Sequence, residues 1–115
     1  MATLKPFRIL RPKEDEAKQI CSLPYDVMNT GEARQMAEGN PLSFLRVTRA
    51  EIEMPEDTDP YSSEVYARGA QNLQRLIEKG HLVQEDAPVY MLYQLQMGDH
   101  RQAGVVAAAS CEEYD

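Results

Sequence analysis

The chain has 115 residues, a length that fits one domain or part of one. Its content of 43% hydrophobic and 27% charged residues is typical of a globular protein and excludes a disordered chain, a collagen and a disulfide-rich scaffold. The net charge of −7 argues against a general nucleic-acid binder, because an acidic surface repels phosphate.

The first predicted elements are a strand and a short helix. Residues 3–10 alternate imperfectly between apolar and polar side chains and predict a strand, which Arg11-Pro12 ends. A helix over residues 13–20 follows, because proline suits the first turn of a helix and the acidic side chains after it suit the positive N-terminus.

A second helix and a second strand complete the N-terminal half. Asn29 and Glu32 have the spacing of a capping box and predict a helix over residues 31–38. Gly39 suits the position just beyond the end of that helix. Residues 42–49 are rich in apolar side chains and predict a strand.

The longest predicted helix covers residues 61–79, with Asp59-Pro60 as the N-cap and first helical position. Its apolar and small residues recur every three or four positions, as on one face of a helix. We expect Leu73 and Ile77 to be buried on this face, whose members are Val65, Tyr66, Gly69, Ala70, Leu73, Leu76 and Ile77.

The C-terminal part predicts a β-hairpin. Residues 88–97 alternate between two faces, residues 98–101 form the turn, and residues 102–110 return as the second strand. Residues 111–115 resemble the start of a further helix.

These elements predict an α+β (mixed α/β) fold with a small mixed sheet, a C-terminal antiparallel hairpin and about three helices. We expect residues 1–115 to form a single domain. Because the last predicted helix stops after one turn, we expect the chain to be the N-terminal portion of a longer protein and a fragment of a larger fold.

The sequence has no recognisable secretory signal, membrane-spanning stretch or metal-binding motif. The N-terminus does not resemble a secretory signal, and no stretch reaches the ~18 apolar residues that a membrane span needs. Cys21 and Cys111 are far apart and have no metal-ligand spacing, so we expect two reduced thiols and no metal site. We therefore expect a cytoplasmic protein with no membrane and no nucleic-acid partner.

An irregular segment after the first helix is the first candidate site. It carries the phenol of Tyr25 and the carboxylate of Asp26, is entered through Pro24, and ends just before a helix N-terminus. Such loops commonly hold binding residues on a rigid scaffold. The alternative is structural: Tyr25 would pack, and Asp26 would make a local Asx-type hydrogen bond.

Several motifs along the whole chain resemble the bacterial domain-of-unknown-function family ten-fifteen, and they occur in the order of that family. They are Ser-Leu-Pro-Tyr-Asp-Val at 22–27, Glu-Ala-Arg at 32–34, Gly-Asn-Pro-Leu-Ser-Phe-Leu at 39–45, Asp-Pro-Tyr at 59–61 with the helix after it, Arg-Gln-Ala-Gly-Val-Val at 101–106, and the closing Glu-Glu-Tyr at 112–114.

The resemblance implies a phosphotransferase that acts on a small molecule, with free serine as the candidate substrate. Longer members carry a downstream Asp-Gly-His-His-Arg stretch that is similar to the phosphate-binding motif of the ParB/sulfiredoxin-like superfamily, which includes serine kinases. The cofactor would be ATP or ADP with Mg²⁺ in the full-length protein. The string Gly98-Asp99-His100-Arg101 lies in a predicted hairpin turn with no helix after it, so we interpret it as a coincidence.

In this interpretation Asp26 is the predicted catalytic residue, as general base or as the carboxylate that anchors a metal. Tyr25, Arg11 and Arg34 are predicted to bind the substrate, the two arginines through their positive charge. The alternative function is a non-enzymatic module that regulates or that binds a ligand or a protein.

Overall fold

The structure, a computed structural model, describes residues 3–112 and has an α+β architecture, as predicted. Its helices are α1 (Ala17–Ile20), α2 (Thr30–Ala37), α3 (Leu45–Thr48) and α4 (Ser63–Glu78). Its strands are β1 (Leu4–Lys5), β2 (Leu10–Pro12), β3 (Leu82–Gln84), β4 (Met91–Met97), β5 (His100–Val106) and β6 (Ala108–Ala109). Short 3-10 turns cover Glu14–Glu16, Tyr25–Val27 and Ala50–Glu53.

The chain divides into two compact units, one of Met1–Arg11 with Gln84–Asp115 and the other of Pro12–Val83. In the described part of the first unit, β1 pairs with β6 and β4 pairs with β5, both antiparallel. The β4–β5 hairpin turns through two residues, and Gly98 at its first turn position has a φ of +60°, which favours glycine. The predicted C-terminal hairpin is therefore confirmed.

The sheets of the structure are smaller than the mixed sheet that we predicted. The described strands form three separate two-stranded sheets, β1 with β6, β2 with β3, and β4 with β5. The predicted first strand over residues 3–10 is divided between β1 and β2, with an isolated bridge from Phe7 to Val89 between them. Pro12 ends β2, a strand position where a missing backbone N–H is tolerated.

The predicted strand over residues 42–49 is wrong, because its centre forms the short helix α3. In a strand, Phe44 and Val47 would lie on opposite faces, whereas a helix places positions three apart on the same side. Both residues pack against one hydrophobic cluster, while Leu45 enters another. The helix thus places Phe44 and Val47 against one cluster and Leu45 in the other, whereas a strand would separate Phe44 from Val47.

The capping box predicted for α2 is confirmed. The Asn29 side chain accepts a hydrogen bond of 2.8 Å from the backbone N–H of Glu32, and the Glu32 carboxylate accepts one of 3.2 Å from the backbone N–H of Asn29. One face of α2 then buries Ala33 and Ala37 in the same cluster as Met28.

Helix α4 begins later than predicted, and its buried face overlaps the predicted one but is not centred on Leu73 and Ile77. Asp59 caps a preceding turn, where its carboxylate accepts a hydrogen bond of 2.9 Å from the N–H of Tyr61. The buried positions are Val65, Gly69, Asn72 and Leu76. Leu73 and Ile77 contact the core from its border and are only half-buried.

Gly69 is the point of closest approach between α4 and α3. A Cβ atom added there would lie 2.8 Å from the carbonyl oxygen of Val47, which is too close for a side chain. Three positions on, the buried Asn72 donates to the carbonyl oxygen of Arg46 and to the carboxylate of Glu53. These contacts fix α3 on α4 and so position the residues that follow α3.

The predicted C-terminal helix start over residues 111–115 falls mostly on residues 113–115, which lie outside the described residues. Cys111 and Glu112 form a turn. Within residues 3–112, no helix is long and apolar enough to cross a membrane.

Candidate functional site

The 3-10 turn Tyr25–Val27 carries both residues of the predicted candidate site. Pro24 precedes it in an extended conformation, and its carbonyl oxygen accepts a hydrogen bond from the N–H of Val27. Met28, the next residue, is buried in the core beside α2. The turn is therefore anchored at its C-terminal side, while the side chains of Tyr25 and Asp26 are exposed.

Tyr25 and Asp26 line an open cavity of about 460 Å³. The C-terminal end of α3 and the residue pair Arg49 and Glu51 form a second wall. The third wall is the segment around the start of α4, with Tyr61 and Tyr66. The structure thus places the two predicted residues together at one cavity, with side chains from elements that are distant in sequence.

Arg49 fixes the backbone of the turn from the cavity wall. Its Nη1 donates to the carbonyl oxygens of Tyr25, at 2.9 Å, and of Met28, at 2.6 Å. Its Nη2 donates to the hydroxyl of Thr30 at 2.8 Å. Because these bonds hold the backbone rather than the side chains, the turn is fixed and its side chains are left available.

The guanidinium of Arg49 is itself held by Glu51. The two groups form an ion pair of 2.8 Å between Nε and Oε1, with only 15% and 7% of their side-chain surfaces exposed. A planar guanidinium suits this role because it donates in several directions at once. Sequence reasoning missed both residues, since Arg49 ended a predicted strand and Glu51 lay between the predicted elements.

The carboxylate of Asp26 has no hydrogen-bond or ion-pair partner among residues 3–112. The structural alternative for this loop required a local Asx-type hydrogen bond from Asp26 and a packed Tyr25. In the structure the local capping role belongs to Asn29, and 61% of Tyr25 is exposed. Within residues 3–112 the two contacts that the structural alternative requires are absent, and the binding role of Tyr25 and Asp26 remains a prediction.

The two arginines predicted to bind substrate lie elsewhere. Arg34 lines a different cavity of about 540 Å³ beside α2, and its guanidinium donates to the carbonyl oxygens of Ile52 and Met54. Arg11 belongs to the other compact unit, where it forms an ion pair of 2.5 Å with Glu85. The substrate-binding role of both arginines remains a prediction.

Residues 3–112 offer few grouped side chains that could bind a metal ion. Within residues 3–112 no three His, Cys, Asp or Glu side chains converge on one point. Mg²⁺ is commonly held by one or two carboxylates together with substrate phosphates, and the metal-anchoring role of Asp26 remains a prediction.

Comparisons with known proteins give one match. The sequence matches over residues 4–115 the family described as Protein of unknown function (DUF1015). Neither the curated proteins nor the solved structures contain a match. Because the match covers nearly the whole chain, including the candidate site, the chain belongs to this family.

Proposed function

We propose that this chain supplies the substrate-binding part of a small-molecule phosphotransferase, with free serine as the first substrate to test. The observation that supports this proposal is the carboxylate of Asp26, which has no partner within residues 3–112 and lines a cavity on a turn held by Arg49. The resemblance of longer family members to serine kinases supplies the reaction class.

Asp26 has the chemistry that transfer to a hydroxyl group requires. A carboxylate within hydrogen-bond reach of the acceptor hydroxyl can orient it and take up its proton. In this proposal the proton passes to Asp26 as the hydroxyl oxygen bonds to phosphorus, and the bond from phosphorus to the nucleotide oxygen breaks. ATP or ADP would supply the phosphoryl group, and Asp26 is alternatively the residue that would hold its Mg²⁺.

The test uses the protein expressed from its complete natural reading frame, with Mg²⁺, ATP or ADP, and L-serine. Phosphoserine formation is measured by mass spectrometry, and we expect Asp26→Asn to lower the rate by roughly 100-fold or more. Asp57→Asn is the matched control, since Asp57 is exposed on the same unit and does not line the cavity. An active Asp26→Asn enzyme would refute the role of Asp26, and a wild-type protein without phosphoserine would refute this substrate.

A second candidate function, a non-enzymatic interaction module, is favoured by a different observation. The β4–β5 hairpin exposes large apolar side chains, with 85% of Leu92 and 78% of Met97 exposed. Exposed apolar surface of this kind is typical of interaction sites. Failure to form phosphoserine, combined with ligand-induced changes at Tyr25, would favour a binding module over an enzyme.

A further inference from the structure

Three tyrosines border the cavity at Asp26, and none of them is packed into the core. The exposed fractions are 61% for Tyr25, 79% for Tyr61 and 62% for Tyr66. Their hydroxyl groups have no hydrogen-bond partner among residues 3–112, unlike that of Tyr90, which donates to the carbonyl oxygen of Leu4. The rings and hydroxyls at this cavity are therefore available to a ligand.

The charges that line the cavity favour a cation. The carboxylates are those of Asp26 and Glu51, and the guanidinium is that of Arg49. Arg49 is already engaged by Glu51, by two backbone carbonyls and by a hydroxyl. The charge of Arg49 is thus compensated within the protein, and the negative charge of Asp26 has no partner among residues 3–112. An anionic group would meet no free cation at this wall.

We infer that the cavity binds an organic ammonium group, with tyrosine rings in contact with the cation and Asp26 as the counter-charge. Aromatic faces attract cations because of the negative charge of the ring face, and quaternary ammonium ligands are recognised in this way. The inference rests on the proposed function and specifies it: the acceptor carries an ammonium group, as free serine does, and is recognised through that group.

The test compares choline with 3,3-dimethylbutan-1-ol, in which a neutral carbon replaces the charged nitrogen. Both compounds have the same shape and carry a hydroxyl group, so only the charge differs. Titrations of the ¹⁵N-labelled chain are followed by NMR at the backbone amides of residues 25–28 and 61–66. We expect saturable shifts with choline and binding at least roughly tenfold weaker with the neutral compound.

Variants identify the groups responsible. Tyr66→Leu removes a ring and is expected to weaken choline binding about three- to tenfold, whereas Tyr66→Phe keeps the ring and should bind nearly as well as wild type. Asp26→Asn is expected to weaken choline binding and to leave the neutral compound unaffected. Tyr93→Leu is the control, because Tyr93 lies in the β4–β5 hairpin.

The outcomes separate this inference from the proposed function. Equal affinity for the two compounds would overturn recognition of the ammonium group and leave a small-molecule site in place. An absence of shifts at the cavity with choline would also overturn it. Phosphoserine formation by the complete reading frame is a separate readout, and its failure would refute serine as the substrate without affecting a measured preference for choline.

Discussion

The Nη1 atom of Arg49 lies 2.6 Å from the carbonyl oxygen of Met28, at the point where the Asp26 turn enters the core. This bond joins the residue that follows α3 to the segment that precedes α2. A turn with two exposed side chains is thereby held in place through its backbone.

Removal of Arg49 alone is expected to destabilise the protein strongly. Arg49→Met leaves the buried carboxylate of Glu51 without its partner, and loss of one partner of such a pair typically costs about 3–5 kcal/mol. In the double variant Arg49→Met/Glu51→Leu no unpaired charge remains at these two positions, so much of the stability should return. Urea unfolding gives the free energies of unfolding of Arg49→Met, Glu51→Leu and the double variant. A loss in the double variant equal to the sum of the two single losses would contradict this expectation.

Asp26 and Asn29 are three residues apart and are expected to differ in their effects on stability. Asn29→Ala removes a helix cap and should cost about 1 kcal/mol. Asp26→Asn removes a carboxylate that has no partner within residues 3–112, so the free energy of unfolding should change by less than about 1 kcal/mol. A larger loss on urea unfolding of Asp26→Asn would show that the carboxylate has a structural role.

Gly69→Ala is expected to destabilise the protein, although alanine normally favours a helix. The added Cβ would lie 2.8 Å from the carbonyl oxygen of Val47, so α4 must shift away from α3, at a cost of about 1–3 kcal/mol. Ala67→Gly, at an exposed position of the same helix, measures the effect of helix propensity alone. Because glycine is the poorer helix former, this substitution should cost about 1 kcal/mol. A Gly69→Ala variant with a raised melting temperature would show that the contact between the helices is loose.

Leu76 and Leu73 are neighbours on α4 but differ in burial. Leu76 is buried between Ile20 and Leu82, so Leu76→Ala should cost about 2–5 kcal/mol. Leu73 is half-buried, and Leu73→Ala should cost clearly less. Chemical denaturation measures the free energy of unfolding of both variants. If Leu73→Ala lost more of it than Leu76→Ala, the buried face of α4 would be centred on Leu73, as the sequence predicted.

The 115-residue chain by itself is expected to form no phosphoserine from serine and a nucleotide. Its sequence has neither a Walker A motif nor another glycine-rich loop of the kind that binds phosphate through backbone N–H groups. Product is measured against a control without enzyme. Phosphoserine above that control would show that these residues bind the phosphates in another way.

The parts of the fold that depend on neighbours in sequence could be predicted. Asn29 and Glu32 lie within one turn of helix, so their spacing alone indicates the start of α2. Alternation over residues 91–97 and Gly98 at the turn likewise indicate the hairpin. In both cases the interacting groups are close in sequence, so they can meet independently of the rest of the fold.

The parts that depend on distant contacts could not be predicted. The short apolar segment around Leu45 suits a strand or a helix, and only the two clusters that it enters decide between them. Tyr25 and Asp26 could be singled out because Pro24 and the lack of periodicity mark a loop. Nothing in the sequence indicates that Arg49 binds that loop from more than 20 positions away.

The pairing of β1 with β6 also has a consequence for synthesis of the protein. Leu4 pairs with Ala109, so the first strand emerges from the ribosome long before its partner exists. The residues of the two clusters that pack α1 to α4 all lie within Pro12–Val83, so these contacts can form before β6 is synthesised. The β1–β6 pairing therefore cannot form until residues 108 and 109 have been synthesised, whereas the helical contacts can form before that.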